Sequence, residues 1–223
     1  MADSPQTTAA SQEYLEWIYR LSKEQSTVQP LDLARALSVS SASVTAMLKR
    51  LVAGDLIERT QRGITLTPEG QQIAAGVVRR HTLLERLATD VLGIPWEKAD
   101  EVACQLEHYV TDEVEERLAA FLGNPTTCPH GQRIDLESPD PSRPLCELGP
   151  GETAEVVRIS DEDREFLSYL AALGVRPGVR LRVESLAPFN GPMTITIGES
   201  RHAIGREAAS RVRVTIETQA ETQ

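Results

Sequence analysis

Residues 30–69 read PLDLARALSVSSASVTAMLKRLVAGDLIERTQRGITLTPE, and the fold is decided by this stretch. Pro30 opens a short helix over Leu31–Leu37 whose Leu33, Ala34 and Leu37 face inward. The polar turn Ser38-Val39-Ser40 leads into a second helix from about Ser41 to Ala53, closed by Gly54. Two alternating stretches follow, Leu56–Thr60 and Gly63–Thr67, joined by Gln61-Arg62, which is a hairpin with a basic tip. Helix, turn, helix and hairpin in that order describe a winged helix-turn-helix, in which the second helix enters the major groove of DNA. Its exposed start offers Ser40, Ser41, Ala42, Ser43 and Thr45, small residues that allow close approach and carry hydroxyls for phosphates or base edges. Lys49 and Arg50 lie further along, and Arg59 and Arg62 sit on the wing. No long basic side chain stands at the helix start, so phosphate contacts and DNA shape are expected to dominate over bidentate base contacts.

Working outward, residues 12–24 place Tyr14, Leu15, Trp17, Ile18 and Leu21 at helical spacing. Thr67-Pro68-Glu69 supplies a hydroxyl cap, a proline at the first helical position and an acid in the first turn, starting a helix that runs to about Asp90. Two more helices are expected near 96–110 and 112–122, ended by Gly123-Asn124-Pro125. Six of the thirteen prolines fall in residues 124–150, which reads as a linker. Beyond it the period changes to alternation over Glu152–Ile159, Val179–Leu186, Met193–Ile197 and Val212–Ile216, with a short helix near Glu162–Leu173. That composition suits a small β-barrel. The expected class is therefore α+β: a winged helix over 1–70, a helical domain over 71–123, a proline-rich linker over 124–147 and a small β-barrel over 148–217. The apolar Val102, Ala103, Leu106, Tyr109 and Val110 point to a homodimer formed through residues about 70–122.

The 223 residues carry a net charge of −10, which argues against nucleic acid until its distribution is considered. Residues 28–80 hold seven basic groups against four acidic ones, whereas residues 81–223 carry −11. A mildly basic module joined to an acidic body can meet DNA at one end, because phosphate contacts depend on local charge. No apolar run approaches the roughly 20 residues that span a bilayer, so no membrane is expected as a partner. The polar start, Met1 to Ser11, lacks the pattern of a signal peptide. Three cysteines, Cys104, Cys128 and Cys146, make no even framework, so a cytoplasmic location is expected.

Three of the four histidines lie beside other metal-ligating groups. His81 and Glu85 are four apart on the long helix, and Cys104, Glu107 and His108 sit at i, i+3 and i+4, so one helical face should present thiolate, carboxylate and imidazole. Glu13 and Glu16 are three apart on the first helix, and Cys128 and His130 flank Pro129. Such mixed donors suit manganese, iron, cobalt, nickel or zinc and disfavour calcium. Each piece also has a plain reading: Glu16 and Arg20 as a surface ion pair, His81 as part of a solvated basic turn, Cys104 as a packed thiol.

Tyr14-Leu15-Glu16-Trp17-Ile18-Tyr19, the helix-turn-helix, Arg80-His81-Thr82-Leu83-Leu84-Glu85, Cys104-Gln105-Leu106-Glu107-His108 and Thr111-Asp112-Glu113-Val114-Glu115 together resemble the diphtheria toxin repressor family of metal-activated regulators. Residues 148–217 resemble that family's SH3-like domain, most clearly at Leu173-Gly174-Val175-Arg176-Pro177-Gly178. The resemblance implies a regulatory metal site drawn from Glu13, Glu16, His81, Cys104, Glu107 and His108. It implies a second site using His81 or Glu85 with Cys128 and His130, as in manganese-sensing members that carry Cys-Pro-His there. Asp161 is implied as the ligand from the β domain, with Asp163 as its substitute, and Asp100 stands where iron-sensing members have histidine. Glu13 and the Cys128-Pro129-His130 motif favour Mn²⁺, and Cys104 favours Fe²⁺. The implied function is a transcriptional regulator, by family default a repressor of metal-uptake genes, that binds double-stranded operator DNA when Mn²⁺, or alternatively Fe²⁺, is held. A metal-dependent hydrolase, a winged-helix sensor of a small organic ligand and a β domain that binds proline-rich peptides are the competing readings.

Overall fold

A computed structural model describes residues 7–25, 27–135, 140–160 and 163–216. The chain forms two compact units. The first takes residues up to Leu84, Ala103–Asn124 and a short piece from Ile134; the second takes Glu85–Val102, Pro125–Arg133 and the described residues from Asp140 onward.

The first unit begins with α1 (Ala9–Glu24), capped by the Thr8 side chain, and continues with α2 (Pro30–Ala36) and α3 (Ser41–Ala53). Pro30 stands at the start of α2, and Asp32 accepts the Gln29 N–H at 2.8 Å, so the helix start is closed by its own first turn. Ser38, at φ 54°, turns the chain sharply before Ser40 caps α3. The hairpin follows as β1 (Ile57–Thr60) and β2 (Gly63–Leu66), antiparallel, with Ile57 opposite Leu66. Gly63, at φ 146°, is held against the chain: a Cβ there would lie 2.8 Å from the Val28 carbonyl oxygen, and Ile64 N donates to that oxygen at 2.9 Å. The wing is thus anchored beside its tip, where Gly63 follows the turn, while Arg59, Gln61 and Arg62 stay exposed. Thr67 caps α4 (Pro68–Arg86) as its sequence promised, its hydroxyl accepting the Gly70 N–H at 3.1 Å and donating to Asp55 O at 2.8 Å. Leu15, Ile18, Leu33, Val44, Leu48, Leu51, Ile57, Ile64, Ala74 and Val78 close over one core.

After α4 the helix widens by one turn over Leu87–Val91, and the expected helix at 96–110 is divided. A tight turn, Trp96–Lys98, precedes α5 (Ala99–Leu106), which tightens again over Glu107–Tyr109 before α6 (Asp112–Phe121). Cys104, Glu107 and His108 therefore do not share one continuous α-helical face. Cys104 stays exposed while Glu107 is buried, because the chain leaves α geometry at Leu106, at φ −113°.

The second unit is built on a six-stranded sheet. Its strands are β3 (Arg143–Pro144), β4 (Thr153–Ile159), β5 (Arg180–Leu186), β6 (Met193–Ile197), β7 (Ser200–Ile204) and β8 (Val212–Ile216), in the order β3-β8-β4-β5-β6-β7. Every pairing is antiparallel. Among the described residues β7 and β3 do not pair, so the sheet is open and is not the closed barrel expected from its composition. Edge β3 has only two residues, too few to carry a ladder across to β7. Helices α7 (Arg164–Ala172) and α8 (Arg206–Ser210) accompany the sheet. Leu145, Leu148, Val156, Ile159, Leu167, Leu170, Val183, Ile195 and Val214 form its core, which also takes in Trp96. No described helix is long and apolar enough to cross a membrane.

Candidate metal centre and nucleic-acid interface

Buried charge is costly unless paired or bound to metal, so the ionisable groups inside each core show where chemistry is placed. In the first unit these are Glu16, His81 and Glu107, 5%, 3% and 3% exposed. One donor atom from each lies within 4.8 Å of the others. They come from α1, α4 and the turn after α5, three segments far apart in sequence. Glu107 is the hub: one carboxylate oxygen is 2.6 Å from His81 Nδ1 and the other is 3.4 Å from His108 Nε2. His108 Nδ1 lies 2.9 Å from Gln12 Oε1, which accepts its proton. Glu13 is exposed at the rim, and partial burial, opposed by His108 and reinforced by Glu16 and Glu107, holds its carboxyl above the usual range. Glu16 pairs with Arg20 at 2.8 Å, as its i,i+4 spacing suggests, but the glutamate is buried, so the pair is not a surface one. Cys104 Sγ comes within 4.8 Å of a His81 ring nitrogen.

The second unit holds a separate cluster. Glu85, Cys128 and His130 are all fully buried, again with donor atoms within 4.8 Å of one another. His130 Nδ1 is 2.9 Å from Glu85 Oε1 and 3.8 Å from Cys128 Sγ. Its Nε2 lies 2.9 Å from the Trp96 carbonyl oxygen, and the two rings tilt together with centroids 5.3 Å apart. The turn carrying both ligands is closed by Gly131 N donating to Cys128 O at 3.0 Å and Cys128 N donating to Gln132 O at 2.8 Å. Arg86 donates to Thr127 O at 2.8 Å, and at 3.1 Å to both the Thr127 hydroxyl and Cys128 O. Gly131 is required here: at φ 84°, a Cβ would fall 2.0 Å from Val157 O.

The residues singled out from sequence thus fall into two groups. Glu16, His81 and Glu107 meet in one, with Glu13, His108 and Cys104 around them; Glu85, Cys128 and His130 meet in the other, without His81. Asp161 lies outside the described residues. Asp163 caps α7, accepting the Phe166 N–H at 3.0 Å, and Asp100 is half-buried on α5. Sequence reasoning missed Gln12, Arg86 and the Trp96 carbonyl. Gln12 could have been found, four residues before Glu16 on the same face. The Trp96 contact is made by main chain and leaves no residue signal.

On the DNA-reading side, Ser40, Ser41, Ala42, Ser43, Thr45, Lys49, Arg50, Arg59 and Arg62 are all exposed. Three of the hydroxyls are engaged within the chain: Ser40 accepts the Ser43 N–H at 3.1 Å and its hydroxyl lies 2.9 Å from that of Ser43, and Thr45 donates to Ser41 O at 2.8 Å. Lys49 and Arg59 line one shallow groove with Val52, Thr60 and Gln61, so the end of α3 and the wing present their cations together.

A winged helix-turn-helix joined to buried carboxylate–imidazole clusters defines a class: DNA-binding regulators whose state depends on a metal ion. The comparisons agree. Residues 6–63 match the iron dependent repressor N-terminal DNA binding domain, and residues 67–136 match the iron dependent repressor metal binding and dimerisation domain. Residues 143–216 match the FeoA domain. The chain is 35% identical over 218 residues to the iron-dependent repressor IdeR of Mycobacterium leprae, covering 90% of this chain and 94% of that protein. It is 30% identical over 211 residues to the diphtheria toxin repressor of Corynebacterium efficiens, covering 86% and 92%. Among solved structures, a manganese-dependent transcriptional repressor in complex with manganese matches with TM-score 0.83 and 32% identity over 93% of this chain and 100% of that one. The IdeR of T. acidophilum matches with TM-score 0.71 and 30% identity over 92% and 97%. The chain belongs to the diphtheria toxin repressor family of metal-dependent repressors. It is a metal-dependent transcriptional regulator, and its relatives are named as repressors rather than enzymes.

Proposed function

We propose that the chain represses genes of metal uptake by binding operator DNA as a symmetric dimer when Mn²⁺ is held by Glu16, His81 and Glu107, with Glu13 and His108 completing the set. The observation that carries this reading is the Glu16–His81–Glu107 cluster, which ties α1, the first helix of the DNA-binding module, to α4 and the turn after α5. Its donors are carboxylate oxygens and imidazole nitrogens, a set that suits Mn²⁺ and leaves Fe²⁺ as the alternative. The manganese complex of a related repressor supports the same choice. When bound, the ion supplies positive charge that offsets the clustered carboxylates. The chain's own part is geometric. Gln12 orients His108, Glu107 holds both histidines, and α1 is fixed against α4, which favours one placement of the reading head. Cys104, exposed and near His81, is a reserve donor whose thiolate suits softer ions. In this reading the chain divides near residues 70, 123 and 147.

The dimer contact is proposed on α5, α6 and the turn between them, where Leu106, Tyr109, Val114 and Phe121 are exposed apolar side chains, 46%, 80%, 50% and 69% accessible. The test is operator binding by wild type and Glu107→Gln across Mn²⁺, Fe²⁺, Co²⁺ and Zn²⁺. Wild type should respond to Mn²⁺ at the lowest concentration and the variant to none; an equal response from both would overturn the assignment.

A further inference from the structure

Four residues of the first unit form one hydrogen-bonded line from the end of α1 to the tip of the wing. Gln25, the residue that closes α1, donates through Nε2 to Asp32 Oδ2 at 3.1 Å. The same carboxylate oxygen accepts the Gln29 N–H at 2.8 Å, and Gln29 Nε2 donates to the Arg62 carbonyl oxygen at 2.9 Å. We propose that Gln29 is a positioning residue for the DNA interface: it sets the Arg62 main chain so that the guanidinium meets a backbone phosphate, and through Asp32 and Gln25 it ties that placement to α1. This rests on the reading of the wing as a phosphate contact and of α1 as the helix fixed by the sensed ion.

Three features carry the inference. Gln61 and Arg62 are the two turn residues of the hairpin, a place where exposed main chain is ordinarily free to move. Here both main-chain groups of Arg62 are held by side chains: its N–H donates to Thr60 Oγ1 at 3.1 Å, and its carbonyl accepts from Gln29. The wing also runs close against the segment that leads into α2. Gly63 passes so near that a Cβ would stand 3.1 Å from Gln29 Nε2, and Ile64 N donates to Val28 O at 2.9 Å. The hairpin therefore has little room to swing toward α2, and the Gln29 amide limits its swing away. Lastly, the donor is specific. A carbonyl only accepts, so residue 29 must offer an N–H of that reach, which a methionine of similar length cannot. A water-exposed bond of this kind adds little to stability, so its loss should show in where Arg62 lies and not in whether the unit folds.

The test is a double-mutant cycle on the full-length chain: wild type, Gln29→Met, Arg62→Ala and the double variant, with Gln25→Met alone and in the Gln29→Met background. The probe is a duplex selected from a random-sequence pool by the Mn²⁺-loaded wild type. Binding is followed over a salt series with Mn²⁺ and, at low salt, without it. Gln29→Met should bind about 3- to 10-fold more weakly, as the loss of one hydrogen bond implies. Its salt slope should fall toward that of Arg62→Ala, which lacks one phosphate contact, while its melting temperature stays at the wild-type value. The double variant should be no weaker than Arg62→Ala alone. Gln25→Met should cost part of the Gln29 loss and nothing further once Gln29 is replaced. Additive losses, an unchanged slope in Gln29→Met, or wild-type binding by Arg62→Ala overturns the positioning role; a Gln25 loss that adds to the Gln29 loss overturns the tie to α1. Equal binding by wild type with and without Mn²⁺ would sink the sensing assignment, and the cycle, read on the metal-free chain, would still decide this proposal.

Discussion

Gly131→Ala tests whether the Cys128–His130 turn is as tightly built as its geometry implies. The residue has φ 84°, where an alanine costs about 1–2 kcal/mol. Its new Cβ would stand 2.0 Å from Val157 O and 2.9 Å from Val157 C, both main-chain atoms that no rotamer change can remove. The turn must then retreat by well over an ångström. Ile159 N donates to His130 O at 2.9 Å, and a retreat of that size breaks the bond and leaves buried groups unpaired, a further cost of about 1–3 kcal/mol. The sum is a loss of about 3 kcal/mol, confined to the second unit. Urea unfolding of a Trp17→Phe background, followed by the fluorescence of the buried Trp96, reads that unit alone. Because His130 moves with the turn, an ion held by Glu85, Cys128 and His130 should be bound more weakly as stability falls, while α3 and the wing still bind DNA. A loss below about 1 kcal/mol would show that the turn yields freely and that its donors are not preorganised.

Four further outcomes are expected. His81→Ala should abolish metal-dependent operator binding in a gel-shift titration while the dimer persists; retained metal dependence would remove His81 from the sensing set. Arg59→Ala or Arg62→Ala should weaken binding to all sequences alike and reduce the log–log salt slope by about 1, whereas altered base preference at unchanged slope would make the wing a reader of sequence. Glu13, whose carboxyl is held high mainly by burial, binds its proton more tightly folded than unfolded, so its ionisation costs stability as pH rises above the ordinary glutamate range. Glu13→Gln should therefore raise the melting temperature of the metal-free protein at pH 7 and lose that advantage near pH 4; an advantage that grows on acidification would reverse the sign. Tyr109→Glu with Phe121→Glu should give a monomer by sedimentation, and an intact dimer would place the contact elsewhere.

The DNA-reading half was legible because its signals are local. Pro30, Ser40, Gly54 and Thr67-Pro68 each mark an element end, and Leu33, Val44, Leu48 and Ile57 repeat at the period of the element that buries them. The membership of the ligand clusters was legible in part. Spacing brought His81 and Glu85 onto one helix and could not say that they serve different clusters. The change of geometry at Leu106 also left no trace, since Cys104 to Tyr109 contains neither glycine nor proline to mark it. Edge strand β7 escaped notice because Ser200, Arg201, His202 and Ala203 are polar or small, and only Ile204 is buried. Helix α8, at five residues, is too short to show a period, and β3 has only two residues.

The Arg20–Glu16 pair has a consequence for the concentration at which the regulator answers. Arg20 Nε and Nη2 both reach Glu16 Oε1, at 2.9 and 2.8 Å, from one helical turn away. One carboxylate of the sensing cluster therefore already has a tethered cation, whose local abundance never varies with the medium. On the proposed reading, an ion that draws on Glu16 competes with that resident guanidinium instead of filling bare charge. The half-response point then depends on more than ligand affinity. It is raised by an internal competitor built into the i,i+4 spacing of α1, a calibration that excess ion can overcome and trace ion cannot.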